Sequence, residues 1–86
     1  MAKYEILISQ SAEKTLKRLP KNDTARVVAT IEKLAIDPRP QGCRKLSGEV
    51  DACRVRVGVY RIIYEIEDLL LRILILKIGH RKDVYR

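Results

Sequence analysis

The spacing of apolar residues changes once along the chain, and this change constrains the fold more than any other feature. Residues 10–36 carry apolar side chains at helical spacing, whereas from Ala52 onward they alternate with polar ones. The first pattern predicts helices and the second predicts strands. A chain of 86 residues has room for one domain. We therefore expect a single α+β domain over residues 1–86, with its helices on one face of a small sheet.

The helical region divides at a proline. Ser9 or Ser11 is expected to cap a first helix that presents Ala12, Leu16 and Leu19 on one face, and Pro20 is expected to end it. A second helix is predicted over residues 22–36. Two helices with so short a link should form an antiparallel hairpin. The apolar stripe of the second helix is predicted to contain Val27, Val28, Ile31, Leu34 and Ala35.

The extended segments predict a small, mainly antiparallel sheet in the order β-α-α-β-β-β. A first strand is expected in "KYEILIS", with Tyr4, Ile6 and Ile8 on one face. Residues 41–50 read as a loop, and "ACRVRV" and "VYRIIYEI" flank Gly58 as a predicted hairpin. The last segment, "LLLRILILKI", is apolar at both alternating positions. We therefore expect it near the sheet centre, buried on both faces.

Positive charge is concentrated in two stretches of the sequence. The chain has 18 cations and 11 anions, a formal net charge of +7. Residues 39–62 contribute +4 and residues 77–86 contribute +3, whereas residues 63–76 contribute −2. Clustered cations attract polyanions, with an affinity that falls as salt rises. A basic, well-solvated surface is the alternative interpretation.

Three arginines near the predicted hairpin form the first candidate site. Arg54 and Arg56 are two residues apart in a strand, so they share a face, and Arg61 follows the turn. If the helices cover the apolar face, these arginines lie on the open one. The planar guanidinium matches a phosphate group. Ordinary surface cations remain the competing explanation.

The segment "IGHRKDVYR" adds groups that can move protons. A free histidine side chain has a pKa of about 6.5 and a free tyrosine one of about 10, so Tyr85 could act as a base only beside positive charge. A structural role for His80 is the alternative. RNA supplies its own nucleophile, the 2′-hydroxyl, so a protein needs only to move protons and stabilise the phosphate. Arginines with a tyrosine and a histidine suffice for that reaction.

Other classes of chemistry fit the sequence poorly. There is no glycine-rich phosphate loop or nucleophile elbow, and no carboxylate cluster suited to a metal. Cys43 and Cys53 are too few for a disulfide framework or a zinc site. Neither a signal peptide nor a membrane span is evident. We therefore expect a cytoplasmic protein that uses no metal or other cofactor.

The sequence resembles the RelE toxins of bacterial and archaeal toxin–antitoxin systems, within the RelE/ParE superfamily. The segments "DPRP", "KLSG", "RVRVGVYRIIYEI" and "KIGHRKDVYR" occur in the order and spacing of that family. The resemblance implies an mRNA interferase that enters the ribosomal A site and cuts messenger RNA without a metal. It also implies neutralisation by an acidic RelB-type antitoxin, in a complex that binds its operator DNA through the antitoxin.

The resemblance also implies roles for individual residues. Arg61 is expected to hold the scissile phosphate, Arg81 to stabilise it or donate a proton, and Tyr85 to accept the 2′-hydroxyl proton. His80 stands where other members carry His or Lys, and whether His80 or Tyr85 is the main proton-transfer group stays open. The predicted catalytic set is Arg56, Arg61, His80, Arg81 and Tyr85, and the predicted RNA-binding set is Arg44, Lys45, Arg54 and Lys82.

Two other functions share this fold and remain alternatives. A ParE-like toxin would inhibit DNA gyrase by binding it, although such proteins generally lack the "GHRKDVY" segment. A non-catalytic RNA-binding module would use the arginines without the proton-transfer groups. Cleavage within translated codons of polysomes would distinguish the endoribonuclease from both.

Overall fold

The protein folds as two helices packed on one face of a five-stranded sheet, which confirms the predicted α+β class. The computed structural model describes residues 3–46 and 51–80. The sheet order is β1-β5-β4-β3-β2, with β1 parallel to β5 and the other neighbours antiparallel. The elements are β1 (Glu5–Ile8), α1 (Gln10–Arg18), α2 (Lys21–Ile36), β2 (Arg44–Lys45), β3 (Ala52–Val57), β4 (Tyr60–Glu67), a 3-10 turn (Asp68–Leu70) and β5 (Arg72–His80).

The two helices begin and end close to the predicted positions. Ser9, rather than Ser11, caps α1, because its Oγ accepts a hydrogen bond from the Ala12 amide at 3.1 Å. Pro20 separates the helices and stands at the N-cap of α2. The Thr24 hydroxyl lies within 3.2 Å of the Leu16 carbonyl oxygen, which ties the first turn of α2 to the end of α1. Within the described residues, neither helix is long and apolar enough to span a membrane.

The core lies between the helices and one face of the sheet. Two residues of the predicted apolar faces are exposed: Val28 is 37% exposed and Ile8 is 40% exposed. Each lies at the margin of its apolar stripe, where the neighbouring layer does not cover it. Tyr64 is fully buried, and its hydroxyl donates to the Pro38 carbonyl at 2.7 Å. The core cluster consists of Ala12, Val27, Ile31, Leu34, Cys53, Val55, Val57, Ile62, Tyr64, Ile66, Ile73, Ile75 and Ile78.

The last strand corrects one prediction and confirms another. β5 is an interior strand, between β1 and β4, as its apolar character predicted. It is buried on one face only, since Ile73, Ile75 and Ile78 are buried whereas Leu76 is 37% exposed. The reason is that both helices pack on the same side of the sheet. Leu76 is also the extra residue of a β-bulge, because the register with β4 shifts between Ile63 and Tyr64.

The predicted loop 41–50 contains one element that the sequence pattern did not indicate. Arg44 and Lys45 form the short strand β2, which pairs with Arg54 and Cys53 of β3. A two-residue strand has too few positions to show an alternating pattern. Its position is therefore decided by pairing with β3.

Candidate nucleic-acid interface

The hairpin of β3 and β4 places arginines directly opposite one another. Arg56 pairs with Arg61 across β3 and β4, and Arg44 pairs with Arg54 across β2 and β3. Opposite residues of an antiparallel pair share a face. The fold therefore places four arginines on one face of the sheet.

These four arginines line one open pocket of about 360 Å³ on the face away from the helices. Gln41 and Gly42 complete the described part of its wall, together with Val55. Sequence reasoning did not select Gln41 or Gly42 as site residues. Gly42 has a φ of 93°, a backbone conformation that favours glycine. A glycine within the predicted loop was the only sequence feature that could have indicated this turn. The pocket contains Arg54, Arg56 and Arg61 as predicted on the open face, and Arg44 from the predicted RNA-binding set.

Arg61 differs from the predicted exposed cation because it is buried. Only 6% of Arg61 is exposed, whereas its cross-strand partner Arg56 is exposed. Its strand neighbour on the other side is Gly79 of β5, which has no side chain. Packing restricts the side-chain positions that Arg61 can adopt. The pocket thus combines a fixed arginine at its base with more exposed ones around it.

His80 and Lys45 lie on the opposite face of the sheet. Strand alternation gives His80 the same face as its partner Tyr60, and Lys45 the same face as its partner Cys53, and both partners belong to or pack against the core. The rings of His80 and Tyr60 meet edge to face, with centroids 6.2 Å apart. The structure therefore does not bring His80 or Lys45 into the arginine pocket. Their predicted functional roles remain predictions.

Tyr60 connects this corner of the sheet to α2. Its hydroxyl donates to an Asp23 carboxylate oxygen at 2.8 Å, and this hydrogen bond, with burial, raises the pKa of Tyr60. The contact fixes the first turn of α2 over the end of β4. Since His80 ends β5 beside Tyr60, the same contact also positions the end of β5.

Arg81, Lys82 and Tyr85 lie outside the described residues, so their predicted roles remain predictions. What the structure describes is the strand that leads to them. Gly79, at the end of β5, is the register partner of Arg61. The described part of β5 therefore ends beside the arginine pocket.

Near the other end of β4, Arg39 has a different environment. Arg39 binds two carboxylates, Asp51 and, at 3.0 Å, Asp68, and the Tyr4 hydroxyl donates to Asp68 at 2.7 Å. The hydrogen bond from Arg39, followed by that from Tyr4, lowers the pKa of Asp68. We call these four residues the carboxylate clasp. Arg39 belongs to the basic stretch 39–62, but its charge is paired with two carboxylates of the clasp. These ion pairs join separate segments of the chain.

A search among known proteins assigns this fold and site to a class. A family model described as "ParE toxin of type II toxin-antitoxin system, parDE" matches residues 6–85. Toxin RelG of Mycobacterium tuberculosis is 33% identical over 87 residues, covering 96% of this chain and 97% of that protein. Putative toxin RelE1 of Methanocaldococcus jannaschii is 30% identical over 89 residues, covering 98% and 97%. The chain is thus a toxin of the type II toxin–antitoxin class.

Solved structures specify the family further. The toxin in the archaeal RelE–RelB complex from Pyrococcus horikoshii is 30% identical, with a TM-score of 0.81 and coverage of 96% of this chain and 99% of that one. Isolated RelE of E. coli shares the fold at 21% identity, with a TM-score of 0.79 and coverage of 95% and 90%. The chain belongs to the RelE family of toxins, within the RelE/ParE superfamily.

Proposed function

We propose that this toxin is a ribosome-dependent, metal-independent endoribonuclease that cuts messenger RNA in the A site and blocks translation. The observation that carries the proposal is the cross-strand register of four arginines, in which Arg44 stands opposite Arg54 and Arg56 stands opposite Arg61. These arginines line one pocket, and each guanidinium fork matches a phosphate group, so the pocket suits a phosphate backbone.

In the proposed reaction, RNA supplies the nucleophile. Tyr85 accepts the 2′-hydroxyl proton, the 2′-oxygen bonds to the adjacent phosphorus, and the bond from phosphorus to the 5′-oxygen breaks. Arg81 returns a proton to the leaving 5′-oxygen. Arg61 and Arg56 stabilise the charge that develops on the phosphate. The products are a 2′,3′-cyclic phosphate and a free 5′-hydroxyl.

The ribosome is expected to do the positioning that the pocket does not. The site is an open depression formed by a few charged side chains, so it should bind free RNA weakly and with strong salt dependence. Misplacing reacting groups by about 1 Å can cost on the order of 10²-fold in rate. We therefore expect efficient cleavage only where the ribosome holds the codon against the pocket.

An acidic antitoxin of the RelB type is the proposed protein partner. The similar archaeal toxin was solved in complex with RelB. In this chain, four guanidinium groups line the arginine pocket on one face, where an acidic segment of the antitoxin could bind them. The proposed site of action is the cytoplasm, and the toxin–antitoxin complex is proposed to bind operator DNA through the antitoxin. Antitoxin binding should raise the melting temperature and protect residues 52–66 from hydrogen exchange.

The test compares programmed ribosomes with the same messenger RNA free in solution, each with and without EDTA. We expect cuts within the A-site codon on ribosomes, little cleavage of free RNA and no effect of EDTA. Equal rates on free RNA, or loss of cleavage in EDTA, would contradict the proposal.

A second candidate function is inhibition of DNA gyrase by binding. It is favoured by the match to the ParE toxin family model over residues 6–85. A supercoiling assay with purified gyrase distinguishes the two functions. Inhibition of gyrase without cleavage of ribosome-bound messenger would replace the endoribonuclease proposal.

A further inference from the structure

A cation outside the arginine pocket lies on the other side of the β3–β4 turn. Arg26 belongs to α2, and its guanidinium lies directly against the turn. A Cβ atom at residue 58 would stand 3.1 Å from Arg26 Nη2 and 3.3 Å from Nη1. Gly58 also has a φ of 60°. Glycine therefore allows the turn conformation and also leaves room for the Arg26 guanidinium.

The same turn joins the arginines of the pocket. Arg56 is the second residue before Gly58, and Arg61 is the third residue after it. Both lie on the open face, whereas Arg26 reaches the turn from the helix side. The turn is therefore flanked by guanidinium groups on both faces of the sheet.

The charge of Arg26 has no evident structural use. Within residues 3–46 and 51–80, its side chain forms none of the ion pairs or hydrogen bonds that stabilise the fold, and the residue is exposed. Asp23 lies one helical turn earlier, but its carboxylate accepts the Tyr60 hydroxyl at 2.8 Å. Holding a long side chain against the turn costs conformational entropy. A ligand that binds the guanidinium would offset this cost.

We infer that Arg26 is a second phosphate contact, and that the RNA backbone crosses the β3–β4 turn from the arginine pocket to α2. This inference rests on the proposed function, which supplies ribosome-held RNA as the polyanion. A strand carries a phosphate at every nucleotide, so one bound in the pocket presents neighbouring phosphates to the flanks of the turn. The guanidinium fork suits a phosphate better than it suits a diffuse acidic surface.

The experiment measures binding apart from cleavage. The probe is a ribosome programmed with messenger whose A-site nucleotides are 2′-deoxy, which removes the attacking hydroxyl. Affinity is measured across a salt series for the wild-type protein, Arg26→Ala and Lys33→Ala. Lys33 is an exposed cation on the same helix, so its loss matches the change in charge away from the turn.

We expect Arg26→Ala to weaken binding roughly threefold to tenfold at low salt and to reduce the salt slope by about 1. Lys33→Ala should change neither quantity. Cleavage of normal messenger should proceed at the wild-type rate in Lys33→Ala. In Arg26→Ala, cleavage at subsaturating ribosomes should slow in proportion to the weaker binding.

Gly58→Asn tests whether the glycine acts through Arg26. Asparagine tolerates a left-handed backbone, but its side chain would occupy the space of the guanidinium. We expect Gly58→Asn to match Arg26→Ala, and the double variant to lose no more than either. Thermal melting verifies that each variant is folded.

Several results would overturn the inference. These are an unchanged salt slope in Arg26→Ala, equal losses in Lys33→Ala, additive losses in the double variant, or weaker antitoxin binding with unchanged ribosome binding. Failure of the proposed function looks different. A wild-type protein that binds programmed ribosomes without cutting normal messenger contradicts the endoribonuclease and leaves the Arg26 contact supported.

Discussion

The two ends of β4 use arginine in opposite ways. At the Glu67 end, Arg72 binds Glu67 at 2.9 Å, and Arg39 binds Asp51 and Asp68 in the carboxylate clasp. At the Tyr60 end, Arg61 stands opposite another arginine, Arg56. The first arrangement neutralises charge and joins segments of the fold. The second concentrates charge, which identifies that end as the one suited to a polyanionic ligand.

Burial strengthens the comparison. The Arg39 side chain is 47% exposed, whereas Arg61 is 6% exposed. Burial restricts the positions that the Arg61 side chain can adopt, so its guanidinium would lose less conformational entropy on binding a ligand. Under the proposed function, this burial is preorganisation for a phosphate.

The largest expected effect concerns Tyr85, the proposed proton acceptor. Tyr85→Phe keeps the ring and removes the hydroxyl, so the single-turnover rate on programmed ribosomes should fall by roughly 10²–10⁴. Melting temperature and ribosome affinity should stay near the wild-type values. Near-full cleavage by this variant would exclude the tyrosine base.

His80→Ala is the comparison for that measurement. Because His80 lies on the Tyr60 face rather than in the arginine pocket, we expect a loss of about tenfold or less. A loss as large as that for Tyr85→Phe would make His80 a proton-transfer group.

The next effect tests the two ends of β4 directly. Arg61→Lys keeps the charge but removes the planar fork, and we expect the cleavage rate to fall by roughly 10²-fold. Arg72→Ala removes a cation from the other end and should leave cleavage unchanged. Single-turnover assays on programmed ribosomes measure both, and equal losses in the two variants would contradict the division between the ends.

A smaller effect is expected on stability at the carboxylate clasp. Arg39 and Tyr4 lower the pKa of Asp68 below its ordinary 3.8, so this carboxylate stabilises the fold above that pH. The contribution is lost as the pH falls through the lowered pKa. Asp68→Asn should therefore melt below the wild-type protein at neutral pH, and the difference should shrink in acid. A constant difference across a pH series of thermal melts would show that the charge of Asp68 is not responsible.

The smallest effect is expected at the 3-10 turn. Leu69 is fully exposed, so Leu69→Ser removes no buried surface. The free energy of unfolding should change by less than about 0.5 kcal/mol. Urea denaturation measures it, and Leu34→Ala in the core is the contrasting variant, with an expected loss of about 2–5 kcal/mol. A large loss at Leu69 would mean that the turn is packed in solution.

Much of the fold follows from short-range patterns. Ser9 caps α1, Pro20 separates the two helices, and Gly58 lies in the β3–β4 turn. These signals depend on a few neighbouring residues, so they can be recognised without knowing the tertiary contacts. Strand β2 was not predicted, because two residues are too few to show an alternation of polar and apolar side chains.

The candidate site was predictable only in part. Alternation placed Arg54 and Arg56 on one face, and the structure brings them into one pocket with Arg61. The same reasoning could not assign His80, because its face relative to Arg61 depends on the register of β4 with β5. It also missed Arg26, whose sequence context is that of an ordinary helix cation.

The sequence by itself determined the two helices and the four longer strands, the shared face of Arg54 and Arg56, and the family resemblance, because periodicity and turn chemistry act over a few residues. Only the tertiary structure decided that Arg44 faces Arg54, that Arg56 faces Arg61 and that Arg61 is buried. Strand register, and the choice of which sheet face the helices cover, arise from contacts between residues far apart in the chain. Those contacts turn a basic composition into a shaped pocket at one end of β4 and a structural clasp at the other.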